Sequence, residues 1–254
     1  MWKAVRIGVL LFILAIVAQQ ALLERAGLDW ERAFRVVVYP VNVDRDAGVG
    51  GFIQSLQTTD FAPVEAFLAE EAARHGVELA RPVEVLLGAE VTDIPPEPPK
   101  EASAVQAAWW SLRFRYFAWA HGPEERIRPH IRLFLLFHDP RKHGVLGHST
   151  ALSKGRLGRV NQFGGREQQE QNMVILTHEL LHTLGATDKY DLGTTLPMYP
   201  DGFAEPDKML RYPQQFAELM GGRVPLAEDR AEIPASLREV LVGEKTAREI
   251  GWIR

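Results

Sequence analysis

The stretch THELLHTLGATDKYD, from Thr177 to Asp191, decides how this chain is interpreted. It sets His178 and His182 four residues apart, so a helix would carry both imidazoles on one face. Leucines fill most of the other positions, which makes the remaining faces of that helix apolar. Imidazoles and carboxylates on a buried helix cost free energy unless a hydrogen-bond partner or a metal ion holds them.

The spacing favours a metal ion. Two imidazoles four residues apart can reach one zinc ion at roughly 2.0 to 2.1 Å. Glu179 is rotated beside that ion, where its carboxylate can take a proton from a water molecule activated by zinc. Gly185 stands where the helix must end with a positive φ, which lets the chain reverse and bring Asp188 to the same ion. The sequence therefore predicts Zn²⁺ bound by His178, His182 and Asp188, with Glu179 as general base.

Other interpretations stay open at this point. Asp191, Glu205 and Glu218 are competing carboxylates for the third ligand position. The alternative without a metal is a helix whose histidines are satisfied by neighbouring backbone groups or carboxylates.

The string H-E-x-x-H-x-x-G-x-x-D resembles the motif of the metzincin metallopeptidases, which ends in His or, in some members, in Asp. The resemblance covers His178, Glu179, His182, Gly185 and Asp188. The following residues are similar to the G-x-x-D-x-Y-D string of immune-inhibitor-A type bacterial metallopeptidases. The resemblance implies zinc, two histidine ligands, a glutamate base, and an α/β subdomain whose edge strand binds substrate in extended form.

The resemblance also implies a methionine in a tight turn beneath the zinc. Met220 precedes two glycines, which permit such a turn, and it is preferred over Met198, which stands between prolines. Tyr190 and Tyr199 are both candidates to polarise a substrate carbonyl.

A second polar cluster precedes the motif. His138, Asp139, His143 and His148 lie close together in sequence, which leaves a second metal site open. The alternative interpretation places His148 on the rim of a strand near the cleft.

Composition excludes several classes of protein. The 254 residues carry a net charge of -4 and contain no cysteine. A chain of mixed charge has no basic footprint for nucleic acid, so nucleic acid is not an expected partner. Without cysteine there is no disulfide framework, thiolate metal site or cysteine nucleophile.

The N-terminus indicates export. Lys3 and Arg6 precede an apolar run from Ile7 to Ala18, and the apolar residues 21–23 extend that run. Residues 1–28 are predicted to be a signal anchor or a cleaved signal peptide, and a buried core helix is the alternative. The cations keep the N-terminus cytoplasmic, so we expect the remainder on the non-cytoplasmic side of the cell membrane, or secreted or periplasmic after cleavage.

Strands and helices alternate along the rest of the chain. The predicted elements are a strand from Phe34, a helix from Asp60 to Gly76, a strand from Arg81, a helix ending at Gly122, a strand from His130, two short strands within 143–163, the motif helix from Arg166 and a last helix from about Pro234 to Trp252. This order predicts an α/β (α+β) fold with a mixed, largely parallel twisted sheet, backing helices and a small C-terminal helical subdomain.

Together these features predict a metzincin-like zinc endopeptidase domain over residues 29–254, acting on a protein or peptide substrate. The first alternative is a hydrolase of a non-peptide amide with the same zinc site. The second is a non-catalytic envelope protein stabilised by zinc. An open coordination position beside Glu179 argues against the second, because structural zinc sites are usually closed by four protein ligands.

Overall fold

The computed structural model describes residue 6, residue 28 and residues 30–100, 103–122, 129–153 and 156–253. The predicted membrane segment over residues 1–28 therefore lies outside the described residues, apart from two single positions. Among the helices that are described, none is long and apolar enough to cross a membrane.

A five-stranded mixed sheet forms the centre of the fold. Its strands are β1 (Phe34–Asn42), β2 (Val83–Leu87), β3 (Ile131–His138), β4 (Thr150–Leu152) and β5 (Leu157–Phe163). The order across the sheet is β2-β1-β3-β5-β4. All neighbours are parallel except β4, which runs antiparallel to β5 at one edge. The predicted mixed, largely parallel sheet is confirmed.

Helices cover both faces of the sheet. They are α1 (Ala47–Ser55), α2 (Ala62–Arg74), α3 (Ala104–His121), α4 (Gln169–Thr183) and, near the C-terminus, α5 (Glu244–Glu249). The side chains of α1, α2 and α4 share one apolar core with the sheet, whereas α3 packs on the opposite face.

Strand β1 contributes to both cores, which explains its uninterrupted apolar sequence. Val36 and Val38 belong to the core shared with α4, and Val37 and Tyr39 belong to the core under α3. A strand buried on both faces has no reason to alternate with polar residues.

Helix α1 was not predicted from the sequence. Three of its nine residues are glycine, which lowers intrinsic helix propensity. Asp46 compensates, because its side chain accepts hydrogen bonds from the backbone N–H groups of Gly48 and Val49 at the N-terminus of the helix.

The predicted helix from Pro234 to Trp252 is wrong over most of its length, and the C-terminal region is not a helical subdomain. The remaining strands are β6 (Ala217–Glu218), β7 (Val224–Ala227), β8 (Arg230–Glu232) and β9 (Val240–Leu241). Strand β9 pairs with β6, and the backbone N–H of Val242 donates to the buried Glu71 carboxylate. These tertiary hydrogen bonds hold much of the segment extended, so its helical parts are limited to a 3₁₀ turn over Leu237–Glu239 and the six residues of α5.

Candidate metal centre

Helix α4 presents the two histidines from a rigid base. Leu176, Leu180 and Leu181 are almost completely buried in the core beneath the sheet. The side chains of His178 and His182 are 13% and 19% exposed, so they line a surface that solvent reaches.

The end of α4 has the geometry predicted for Gly185. This glycine has a φ of +105°, and its N–H donates to the carbonyl of His182. The N–H of Ala186 donates back to the carbonyl of Leu181, which completes a Schellman turn. The turn reverses the chain immediately after the helix, and Asp188 is thereby brought beside the two histidines.

Three donor atoms converge at this point. Asp188 Oδ1 lies 3.2 Å from His178 Nε2 and 3.0 Å from His182 Nε2. The two Nε2 atoms are themselves 3.0 Å apart. In a tetrahedral zinc site with bonds of roughly 2.0 to 2.1 Å, neighbouring ligand atoms are about 3.3 Å apart. The arrangement therefore fits a metal ion.

Backbone carbonyls hold the Nδ1 atoms of both rings, and this turns the two Nε2 atoms toward each other. His178 Nδ1 lies 2.9 Å from the carbonyl oxygen of Leu219, and His182 Nδ1 lies 2.8 Å from that of Ala186. A carbonyl only accepts, so each Nδ1 carries the proton and each Nε2 of a neutral ring has a free lone pair. Two lone pairs and a carboxylate oxygen at this distance repel one another unless a cation lies among them. This is the tautomer that metal-bound histidines adopt.

The pKa values of His178 and Asp188 are shifted by their contacts with each other. Burial alone would lower the pKa of His178, but contact with Asp188 and the nearby Glu179 carboxylate raise this pKa overall. Burial would raise the pKa of Asp188, but its contacts with the two histidines lower this pKa well below its usual range. The centre thus attracts positive charge.

Glu179 lies beside these donors. It is 7% exposed, and its Oε2 atom is buried with no hydrogen-bond partner among the described residues. Donor atoms of His178, Glu179 and His182 all lie within 4.8 Å of one another. Burial raises the pKa of Glu179, although the charges of the nearby histidines, including His148, oppose that rise.

Two competing carboxylates are held elsewhere. Asp191 accepts hydrogen bonds from the backbone and hydroxyl groups of Thr194, which closes a local turn. Glu205 accepts from the backbone N–H of Gln215. Neither carboxylate faces the histidines.

Glu218, the third competitor, is fully buried within the protein. Its oxygens accept from the backbone N–H groups of Gly221 and Gly243 and from the hydroxyl of Thr246. Because these three donors occupy the carboxylate, Glu218 orders the C-terminal region and does not face the metal centre.

The segment Leu219–Gly221 forms a tight turn of 3₁₀ helix directly behind His178. Met220 is fully buried in that turn, and its carbonyl accepts from the N–H of Lys189. Met198 is instead 48% exposed on a loop. Of the two methionines, Met220 therefore has the position expected beneath the centre.

The two tyrosines also differ. The ring of Tyr190 is centred 6.3 Å from that of His178, and burial together with the Asp188 carboxylate raises the pKa of Tyr190 to about 12. Tyr199 is half exposed, with the guanidinium of Arg211 stacked over its ring. Tyr190 is the tyrosine that lies next to the candidate ligands.

One anchor of the site was missed by sequence reasoning. Glu249 on α5 accepts hydrogen bonds from the backbone and hydroxyl of Thr187, and it pairs with the buried Lys189 ammonium at 2.7 Å. These contacts fix both neighbours of Asp188. Lys189 and Glu249 are separated by 60 positions, so the sequence does not indicate this contact.

The second polar cluster is divided by the fold. Asp139 is paired with Arg141 and Lys142, and His148 is exposed near Glu179. His138 and His143 face each other with ring centroids 5.2 Å apart. Only these two histidines remain close together.

Strand β4 borders the centre. It ends the sheet, and along the described part of the chain no strand pairs with its outer edge. The strand starts two residues after His148, whose imidazole lies close enough to Glu179 to influence the pKa of that carboxyl. An extended chain could therefore pair along this edge and pass the candidate ligands.

Comparison with known proteins adds little. No protein-family model matches the chain. No curated protein matches it either. One matching structure is wild-type OgpA from Akkermansia muciniphila, at 13% identity and a TM-score of 0.42. The match covers 86% of this chain and 60% of that one, so the chain spans about three fifths of its length. A structural similarity of this size does not indicate an activity.

Proposed function

We propose that the protein is a zinc-dependent endopeptidase with a metzincin-like catalytic domain. The observation that carries this proposal is the convergence of two Nε2 lone pairs and the Asp188 oxygen beside a buried glutamate oxygen that has no described partner. Three protein ligands leave one coordination position open, which is typical of catalytic rather than structural zinc.

Zinc, when bound, polarises the scissile carbonyl and lowers the pKa of water at the open position. His178, His182 and Asp188 hold the ion, and the carbonyls of Leu219 and Ala186 keep both imidazoles in the required tautomer.

Glu179 moves the proton in this proposal. Its carboxylate takes a proton from water as the water oxygen attacks the peptide carbonyl carbon. When the C–N bond breaks, Glu179 returns that proton to the leaving amine. A pKa raised by burial brings the carboxylate closer to neutral pH, where a general base and acid work best.

Tyr190 is proposed to stabilise the negative oxygen that develops on the substrate. With its pKa raised to about 12, its hydroxyl keeps its proton at neutral pH and can donate it as a hydrogen bond. Its ring is centred 6.3 Å from that of His178.

The substrate class follows from the free edge of β4. A polypeptide in extended conformation can add to that edge through main-chain hydrogen bonds, which suits proteins of varied sequence. A small non-peptide amide has no extended main chain that could form these hydrogen bonds. We therefore propose peptide bonds as the target.

The location remains part of the proposal. Lys3 and Arg6 before the apolar run favour an enzyme that is tethered to the membrane or exported. Helix α3 exposes Trp109, Tyr116 and Trp119 on its outer face, at 62%, 66% and 74% of their surfaces. Tryptophan and tyrosine are enriched at membrane interfaces, which supports a position close to the membrane.

The proposed activity can be tested with a peptide library of random sequence, with cleavage read by mass spectrometry. Wild type should cleave, a chelator should stop it and zinc should restore it. Glu179→Gln should not cleave under any of these conditions. Cleavage that survives chelation, or persists in Glu179→Gln, would contradict the proposal.

A further inference from the structure

A second group of side chains of the types that can bind a metal ion lies at the carboxyl end of the sheet. Asp44 follows β1, His138 ends β3, and His143 lies in the connection to β4. One donor atom from each of these three side chains lies within 4.8 Å of the others. The sequence places His138 and His143 close together, but it does not indicate Asp44, which is 99 residues away from His143.

The orientation of His138 is fixed by Asn161. The amide nitrogen of Asn161 donates to the carbonyls of Gly147 and His148, so its Oδ1 must face His138. That oxygen lies 3.0 Å from His138 Nε2 and can only accept, which puts the ring proton on Nε2.

The other nitrogen of His138 is left without a partner. His138 Nδ1 is buried, and no hydrogen-bond donor meets it anywhere in the described residues. With the proton on Nε2, this atom carries a free lone pair, and the ring of His143 is centred 5.2 Å from that of His138. An unpaired buried acceptor costs free energy, and a bound cation removes that cost.

Asp44 and His143 complete the group. One Asp44 oxygen accepts the backbone N–H of Asp139, which holds the carboxylate in place. His143 Nε2 lies 3.0 Å and 3.1 Å from the two oxygens of that carboxylate. The nearby cations Arg141 and Lys142 pair with Asp139 and with Asp46, not with Asp44.

From this geometry we propose that Asp44, His138 and His143 bind a second divalent transition-metal ion of the zinc type. Two imidazole nitrogens and one carboxylate suit zinc and its neighbours, whereas calcium and magnesium take oxygen ligands. The site is separate from the His178 centre and shares no ligand with it.

The ion would act on the rim of the active centre. It would join the ends of β1 and β3 to the connection that leads into β4. Asn161 ties the same His138 ring to the backbone of Gly147 and His148, and His148 lies near Glu179. The second ion therefore orders the approach to the edge where we place the substrate.

The test is zinc stoichiometry of the full chain after equilibrium dialysis, measured by elemental analysis. Wild type should hold two ions per chain, and His143→Ala and Asp44→Asn should each hold one. His143 is part-exposed on a connection, and Asn keeps an acceptor for the Asp139 N–H, so both variants should fold. A matched control is His121→Ala, which breaks a His–Asp pair of 2.8 Å that belongs to no group of three metal-binding side chains in the described part of the chain. It should retain both ions.

His178→Ala separates the two sites. It should hold one ion, and His143→Ala with His178→Ala should hold none. If wild type binds a single ion that His178→Ala abolishes, or if His143→Ala binds as many ions as wild type, the second site does not exist. If wild type binds one ion that only His143→Ala abolishes, the second site stands and the proposed catalytic centre fails.

The unfolding temperature of each metal-free protein shows whether the variant is folded. Metal-free His143→Ala and Asp44→Asn should unfold at the temperature of metal-free wild type, and added zinc should raise the unfolding temperature less than in wild type. Equal zinc-dependent shifts in wild type and both variants would overturn the proposal.

Discussion

At the scale of single residues, the centre is defined as much by backbone carbonyls as by the ligands. The carbonyls of Leu219 and Ala186 take the Nδ1 protons and leave both Nε2 atoms as acceptors that face Asp188. A helix whose histidines were merely satisfied would direct a donor, not a second lone pair, at each inner nitrogen. The geometry therefore favours a metal ion, and not hydrogen-bond partners alone, as the reason for placing His178 and His182 on one helix face.

Glu179 and the metal ligands should separate on mutation. Glu179→Gln should bind zinc with wild-type affinity, because the side chain keeps its shape and is not assigned to the metal. Hydrolysis should fall by about 10²- to 10⁴-fold, the usual cost of removing a general base. Zinc affinity and single-turnover cleavage measured on the same samples check this. Parallel loss of zinc and activity would make Glu179 a ligand instead.

At the scale of elements, the sequence allowed the alternating strands and helices, the α4 helix and its end at Gly185 to be predicted. These follow from local patterns, namely apolar periodicity and a glycine where φ is positive. The segment from Pro234 to Trp252 could not be predicted, because strand pairing with β6 and the contact of Val242 with Glu71 outweigh its helical pattern. Helix α1 depends on one capping side chain, Asp46.

The candidate site divides in the same way. His178, Glu179, His182 and Asp188 come from one stretch, so their proximity could be predicted from helix geometry and from the turn at Gly185. The carbonyl of Leu219, the anchor at Glu249 and the partner Asp44 of the second group are all distant in sequence. Only tertiary packing brings Leu219 and Glu249 to the His178 centre and Asp44 to the second group, and no local sequence pattern indicates these contacts.

Gly185→Ala tests the turn that brings Asp188 into place. A β-carbon at a φ of +105° is strained, so we expect a loss of about 1 to 2 kcal/mol in the free energy of unfolding, together with weaker zinc binding. Gly51→Ala is the matched control, because Gly51 lies within α1 and an added β-carbon meets no atom within 4 Å. That change should stabilise by about 0.5 to 1 kcal/mol. Chemical denaturation of the metal-free proteins measures both free energies of unfolding. A free energy of unfolding in Gly185→Ala equal to that of wild type would contradict the strained turn.

Glu249→Gln tests the anchor behind Asp188. It leaves the buried Lys189 ammonium without its carboxylate, so the free energy of unfolding should fall by about 3 kcal/mol. Zinc affinity should fall about 10- to 100-fold, as is typical for residues that orient ligands. The matched control is Glu244→Gln on the same helix, since the Glu244 side chain is 75% exposed and pairs only with Arg248 in the described structure. Zinc affinity equal to wild type in Glu249→Gln would remove Glu249 from the site.

At the scale of the whole molecule, the proposal places the catalytic domain on the non-cytoplasmic side of a membrane. A reporter that is active only outside the cytoplasm, fused after Leu28, should therefore be active. Replacing Lys3 and Arg6 by glutamate should reduce that activity, because the cations before the apolar run set its orientation. An inactive reporter fused to the unaltered segment would show that the topology is wrong.

The central claim is that His178, His182 and Asp188 form one metal centre, and a zinc titration of Asp188→Asn tests it most directly. The His143→Ala background limits binding to this centre, and Asp191→Asn is the control, since its carboxylate closes only a local turn. We predict one zinc ion per chain in the background and in Asp191→Asn, and more than about 100-fold weaker binding in Asp188→Asn, a larger loss than outer partners cause. Unchanged affinity in Asp188→Asn, with loss of zinc in Glu218→Ala, would contradict the account.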